Sequence, residues 1–459
     1  MSGINSENMF EKNISEKKEK IMVISLGCDK NLVDSEMMLG ILDREGFEIV
    51  DDETQADVIV VNTCCFINDA KEESIQTLID CGKLKKSSSL KCLIATGCLA
   101  QRYADEIKTE LPEVDAIIGT TAFDKVAEAA RELLDGKKPT PRLDDISRLV
   151  SGKPRVLSTG GHFAYLKIAE GCDKNCTYCI IPKIRGPYRS VPMETLLTEA
   201  KELSDRGVKE LILVAQETTV YGVDLYGKKS LPELLRKLSD SCDFHWIRIL
   251  YGYPEEIDAE LIKEISENPK VCHYIDMPIQ HSEDGILKRM GRRTSRADLV
   301  RVVNDLRRSV PDICIRTTLI TGFPGETEED FAGLKAFVKE MKFDRLGVFT
   351  YSREEGTGAD RMPDQVPDEI KEARRDEIMA LQQEIVFEKN EEKCGRIMDC
   401  IVEGRIPEDN ILVCRSYMDA PNVDGFVFVE TDMDPMSGTP LNIRITDADG
   451  YDLIGEICG

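Results

Sequence analysis

The chain has 459 residues, 85 of them acidic against 60 basic, a formal net charge of −25 and 16 cysteines. That length accommodates about three domains with ordinary cores, so no metal is needed merely to hold the fold together. The negative charge disfavours bulk affinity for a nucleic-acid backbone and suits a basic protein partner.

Residues 1–20 are polar and charged, with no apolar secretory segment, and no run of about 18 apolar residues exists to span a membrane. The expected compartment is the cytoplasm, where disulfides are rare and clustered cysteines bind metal or do chemistry. Short apolar, largely β-branched runs at 21–27, 57–63 and 91–97 read as buried parallel strands, with helices at about 32–45, 70–84 and 102–110. A strand at 114–118 and a helix at 124–134 complete an open parallel α/β sheet domain, placed at 21–140. Residues 136–160 lose periodicity and carry Gly, Lys, Pro and Ser, as a linker does.

From residue 163 strand and helix patterns alternate again, with strands expected at 164–169, 210–215, 246–250, 274–277, 313–319 and 345–351. Six βα repeats predict a parallel barrel, partial or full. A helix at 368–394 leads out of this second domain, placed at 158–390. Runs at 398–402, 411–415, 426–429 and 441–447, divided by Gly, Pro, Asn and Asp, predict a small OB-like β-barrel over 391–459.

Cys28, Cys64 and Cys98 each follow directly on a predicted strand, 36 and 34 residues apart. Neighbouring parallel strands end on one edge of their sheet, where ligands of open α/β sheets gather. The three thiols are therefore expected to meet at one rim. Cys65 is an alternative ligand; Cys64 is favoured because it stands one residue past its strand, as the other two do. Cys81 and Cys92 read as small buried residues.

The segment Gly171-Cys172-Asp173-Lys174-Asn175-Cys176-Thr177-Tyr178-Cys179 follows the first barrel strand, at the end where such barrels carry active sites. Three thiolates spaced by four and three residues wrap one corner of an iron–sulfur cube and leave its fourth iron open. Zinc would want a fourth ligand, and no further Cys or His occurs in the next 60 residues.

Cys172-x-x-x-Cys176-x-aromatic-Cys179 resembles the signature of the radical S-adenosylmethionine superfamily. Three further stretches, Ser25-Leu26-Gly27-Cys28-Asp29-Lys30-Asn31-Leu32-Val33-Asp34-Ser35-Glu36, Asn62-Thr63-Cys64 and Thr96-Gly97-Cys98-Leu99-Ala100-Gln101-Arg102-Tyr103, resemble the methylthiotransferase family within it. Ile181-Pro182-Lys183-Ile184-Arg185-Gly186 is similar to the branch that modifies a small-subunit ribosomal protein, and Asp449–Gly455 resembles a TRAM domain. The likeness covers nearly the whole chain after residue 20.

The resemblance implies a (β/α)6 partial barrel and two 4Fe-4S clusters, one on Cys172, Cys176 and Cys179 and an auxiliary one on Cys28, Cys64 and Cys98. It implies that S-adenosylmethionine serves both as methyl donor and as source of a 5′-deoxyadenosyl radical, and that a methylthio group enters at the β-carbon of an aspartate. Cofactor contacts would fall on Tyr178 near adenine, Gln216 and Glu217 on the methionine amine, Arg316 on its carboxylate, and the turn Gly322-Phe323-Pro324-Gly325-Glu326 against adenine. Gln280-His281-Ser282 would line the cavity; His162 and His245 carry no signal. A carbon radical must meet sulfur within near-attack range, so the two thiol rims should face each other across the linker.

The expected partners are a basic small-subunit ribosomal protein, free or in the ribosome, and a reductant such as flavodoxin or ferredoxin, with the chain acting as a monomer and away from membranes. A tRNA adenosine methylthiotransferase is the alternative. Against it, residues 391–459 hold fifteen Asp/Glu and five Lys/Arg, the opposite sign to an RNA-binding groove.

Overall fold

The computed structural model describes residues 18–458; segment 1–17, read above as lacking a secretory signal, and Gly459 lie outside the described residues. The N-terminal sheet comprises β1 (Lys20–Ser25), β2 (Glu48–Ile49), β3 (Val58–Thr63), β4 (Cys92–Gly97) and β5 (Ala116–Ile118). Its order is β2-β1-β3-β4-β5, every pair parallel. All residues of β3 and β4 are buried, which is why both read as unbroken runs: helices cover the two faces. These include α1 (Asp29–Arg44) and α2 (Asn68–Ser87). The helix expected from residue 102 starts earlier, as α3 (Cys98–Arg102), breaks at Tyr103, and resumes as α4 (Ala104–Glu110).

No helix or strand lies between Leu134 and Phe163, yet the linker is fastened down. Glu36 of α1 accepts from Arg155 Nε at 2.8 Å and from the Ser158 backbone at 2.7 Å. At Gly40 the linker backbone comes so close that a Cβ would stand 2.3 Å from the Pro154 carbonyl oxygen.

The central domain carries β6 (Phe163–Lys167), a short antiparallel clip of β7 (Ala169–Glu170) with β8 (Arg189–Ser190), then β9 (Glu210–Val214), β10 (Trp246–Ile249), β11 (Tyr274–Asp276), β12 (Cys314–Thr321) and β13 (Arg345–Thr350). Strands β6, β9 and β10 form one parallel sheet and β11, β12 and β13 another, stitched by a single bridge between Ile247 and Val271. Among the described residues β6 does not pair with β13, so the six-stranded arc is a partial barrel. The helix Asp368–Glu391 packs on β12 and β13.

The C-terminal strands β14 (Ile397–Ile406), β15 (Ile411–Ser416), β16 (Val427–Glu430), β17 (Pro440–Asp449) and β18 (Asp452–Ile457) close into a barrel. The sequence reading did not foresee β2 or β18.

The three units are stacked along the barrel axis. The C-terminal barrel covers the amino ends of the central strands: Arg415 meets Glu210, Arg248 donates to the Tyr417 carbonyl at 2.7 Å, Tyr274 donates to Asp424 at 3.0 Å, and Arg345 meets Asp419. His162 and His245, silent in the sequence, face Glu403 at 2.9 Å and Asp399 at 2.6 Å in this interface. The N-terminal domain sits over the carboxyl ends: Lys167, the last residue of β6, pairs with Asp34 of α1, and the Tyr251 hydroxyl donates to Asp29 at 3.0 Å. One apolar cluster runs through all three units, from Met37 and Phe47 through Tyr165 and Trp246 to Met398 and Val427. Among the described residues no helix is long and apolar enough to cross a membrane.

Candidate active site

Strands β1, β3 and β4 are neighbours, so their carboxyl ends deliver Cys28, Cys64 and Cys98 to one rim. Cys28 is the N-cap of α1 and Cys98 opens α3, so both thiols stand at helix N-termini, where the backbone favours negative charge. Gly27, at φ +86°, lets the first turn lie against the second: a Cβ there would come 2.6 Å from Cys64 Cβ and 2.7 Å from its Sγ. Ser74 clamps the Cys64 backbone, its hydroxyl accepting from the N–H and donating to the carbonyl, each at 2.9 Å.

Asn31 donates to the carbonyls of Leu26 (2.9 Å) and Thr63 (3.1 Å), tying two of the turns together. Asn62 donates to the Asn31 carbonyl and to Ser35, each at 2.9 Å. Burial pushes the thiols of Cys64 and Cys98 up, and Cys98 feels the charges of Cys64 and Cys28. Cys65 is buried in the same cluster as Cys98, with Ile59 and Leu99, and meets the Arg102 guanidinium; burial carries its thiol up to about 11.

The second triad sits on the loop after β7. Gly171, at φ +81°, passes so close to the returning strand that a Cβ would lie 2.1 Å from the Pro187 carbonyl oxygen. Thr177 anchors the loop from its far side, its N–H donating to Met290 and its carbonyl accepting from Ala359. Cys176 Sγ lies 3.6 Å from the Tyr253 hydroxyl. Burial raises Cys172 to about 11 and Cys179 further; backbone N–H groups of Lys174 and Ile181 point back at these two sulfurs. Among the described residues no three His, Cys, Asp or Glu side chains converge as a single ion requires. A cube presents its irons at separate corners, so its thiols stand further apart than the ligands of one ion.

A buried polar chain joins the two rims. Arg185 donates from Nε to Cys98 Sγ at 3.3 Å, from Nη1 to Asp34 at 2.8 Å and Glu170 at 3.2 Å, and from Nη2 to Asn31. Lys167 pairs with Asp34 and, at 2.7 Å, with Glu170. Gln216 donates to Glu170 at 2.7 Å and accepts from the Gly171 N–H at 2.8 Å, one residue before Cys172. Burial opposes charge on Glu170, but Lys167 and Arg185 outweigh it and hold the carboxyl well below its usual range. Of this chain only Cys98 and Gln216 are assigned a role from the sequence; Arg185, Asp34, Glu170, Lys167 and Asn31 are not, although Arg185, Asp34 and Asn31 stand inside the family-like stretches.

The expected cofactor contacts fare unequally. Tyr178 packs edge-on against Phe323 at 6.5 Å, which joins the cluster loop to the glycine turn. Glu217 is buried beside Cys172; its Oε2 has no hydrogen-bond partner and sees the Lys174 ammonium at 3.5 Å, and desolvation raises the carboxyl to about 7. Gln216 departs from expectation because both ends of its amide are already used. Arg316 also departs: it is paired with Asp276 at 3.0 Å and with Asp424 of the C-terminal barrel at 3.5 Å, so its charge is matched.

Gly322 differs as well. Its N–H is taken by Glu326 at 2.6 Å, and the space beside it is filled by Lys371, 2.1 Å from an added Cβ. His281 is fully buried 3.9 Å from Glu326, beneath that turn, so it supports the turn.

Three family models match in succession: the Uncharacterized protein family UPF0004 over residues 20–119, the Radical SAM superfamily over 166–338, and the TRAM domain over 394–458. The ribosomal protein uS12 methylthiotransferase RimO of Lachnoclostridium phytofermentans is 59% identical over 437 residues, 95% of this chain and 99% of that one. The chain belongs to the RimO family of uS12 methylthiotransferases. RimO proteins of Acetivibrio thermocellus (51% identical, 96% and 98% covered) and Clostridioides difficile (49%, 95% and 98%) agree with it. Among solved structures, the radical S-adenosylmethionine methyltransferase TsrM of Kitasatospora setae superposes with a TM-score of 0.55 at 14% identity, covering 75% of this chain and 74% of that one. That likeness concerns the fold. The RimO family thus places a radical S-adenosylmethionine domain between the sheet domain and the barrel described above.

Proposed function

We propose that the chain inserts a methylthio group at the β-carbon of an aspartate in ribosomal protein uS12, using S-adenosylmethionine and two 4Fe-4S clusters. The observation that supports the reading is the buried chain from Cys98 through Arg185 and Glu170 to Gln216 and Gly171, which links the rim of one set of cysteines to the loop of the other in a RimO-family protein. Cys172, Cys176 and Cys179 would hold one cluster and Cys28, Cys64 and Cys98 the auxiliary one. Bound there, the first would supply the electron that cleaves the cofactor and the second would carry the associated sulfur that receives the methyl group.

The protein's own part is placement. Glu217 receives the methionine ammonium, while Tyr178 and Phe323 present an aromatic wall to the adenine side. Gln216 braces the entry to the Cys172 loop. The contact of Lys30 over the Tyr251 ring, 3.3 Å from its centroid, helps fasten the N-terminal domain to the central one.

The working units are 21–140 for the auxiliary cluster, 158–390 for cofactor cleavage and 391–459 for the substrate. A flavodoxin or ferredoxin supplies electrons, and the enzyme acts as a cytoplasmic monomer. The test incubates reconstituted protein, S-adenosylmethionine and a reductant with uS12 and separately with tRNA. One methylthio addition on uS12 by mass spectrometry, with unmodified tRNA, is expected; the reverse pattern overturns the reading.

A further inference from the structure

Arg185 is 2% exposed and lies between the triads, with its donors directed at one thiol, one amide and two carboxylates. A neutral thiol is a weak acceptor, whereas a thiolate takes a charged donor well. The geometry at Cys98 is therefore that of a cation waiting on a thiolate. Around it two carboxylates, Asp34 and Glu170, balance two cations, Arg185 and Lys167. In such a dry, neutral cluster, removing one member leaves a whole charge uncompensated next to the sulfur. Iron–sulfur potentials respond to hydrogen bonds on the sulfurs and to nearby charge.

We propose that Arg185 is a positioning residue that sets the reduction potential of the auxiliary cluster, donating a charged hydrogen bond to the Cys98 sulfur while Asp34 and Glu170 fix its direction. This rests on the reading of Cys98 as a ligand. Glu170 also carries Gln216, so the guanidinium that touches one triad steadies the loop entering the other.

The test uses the full chain with Cys172, Cys176 and Cys179 all changed to Ala, reconstituted anaerobically with iron and sulfide, so that the auxiliary cluster is observed alone. Its one-electron midpoint is followed by electron paramagnetic resonance. R185Q is expected to retain one cube's iron and shift the reduction equilibrium about tenfold toward the oxidised form, about 59 mV. E170Q leaves the guanidinium and removes a negative charge, so it moves the midpoint the opposite way. R185K keeps the charge but loses the planar fork and falls between wild type and R185Q.

Unchanged midpoints in R185Q and E170Q overturn the proposal, as does a shift of one sign in both, which a merely loosened fold would give. If R185Q holds no iron, E170Q and R185K decide by the same signs. If the triple-alanine background holds no iron, the ligand reading of Cys28, Cys64 and Cys98 falls first and the proposal with it.

Discussion

Two adjacent cysteines compete for one role, and what each faces separates them. Cys64 lies against the Gly27 turn and feels Cys28, whereas Cys65, though also near Cys98, meets the Arg102 guanidinium. Cys64→Ala is expected to abolish methylthiolated uS12 while 5′-deoxyadenosine still forms; Cys65→Ala should keep both, as read by mass spectrometry and chromatography. Product from Cys64→Ala would reverse the assignment. A second prediction concerns acid. Burial raises Glu326 from 4.5 to about 7, against Arg374 and two backbone N–H groups, and lowers His281 from 6.5 to about 3. The raised carboxyl contributes stability that is complete below pH 4.5 and lost as pH climbs to about 7. The depressed histidine contributes stability present above pH 6.5 and lost as pH falls toward 3. Between 4.5 and 6.5 the two slopes cancel. Glu326→Gln removes one of them, so in urea unfolding of iron-free protein it should lose about 1.4 kcal/mol per pH unit relative to wild type as pH falls through that window. The thiols were legible because following a strand is a property of local sequence. The charges were not: Arg185 and Asp34 are 151 positions apart, and each reads as ordinary surface charge until two domains meet.

The turns after β1 and β4 are built on glycines with positive φ that bring neighbouring chain segments into contact. Gly27→Ala must place a Cβ on Cys64 as well as adopt φ +86°. It should cost about 1–3 kcal/mol and release the auxiliary iron. Gly207→Ala is the control, since it has a similar φ of +93° but nothing within 4 Å of an added Cβ; it should strain the backbone and keep all its iron by elemental analysis. Strands β3 and β4 were readable because both faces are buried, and β1 because its run Ile21–Ile24 is apolar although only Ile21 is fully buried. Strand β18 was not, because Ile454 and Glu456 point outward and only Leu453 and Gly455 are buried. Helix α3 began four residues before its expected start because Cys98, Leu99 and Ala100 are buried by their surroundings, with no amphipathic rhythm to announce them.

At the scale of the molecule, the seam between the central and C-terminal barrels rests on Glu210, which holds both Arg248 and Arg415 with all three fully buried. Glu210→Ala leaves the buried Arg248 without a carboxylate, while Arg415 keeps Glu403 at 2.9 Å, and should cost about 3 kcal/mol in denaturant unfolding. The outer side of the C-terminal barrel shows Glu408, Asp409, Glu430, Asp432 and Asp434 exposed. Association with uS12 should therefore slow as salt rises from roughly 0.01 to 1 M, where the screening length contracts from about 30 to 3 Å; a rate indifferent to salt would contradict charge steering. The continuous apolar core has a further consequence, for exchange between relatives. The terminal barrel is not a detachable tool: its Asp399, Glu403, Arg415, Asp419 and Asp424 are cut to particular strand starts beneath it. A chimera that borrows the barrel of a nucleotide-modifying cousin would have to import the matching floor as well, and without it should lose stability at that joint.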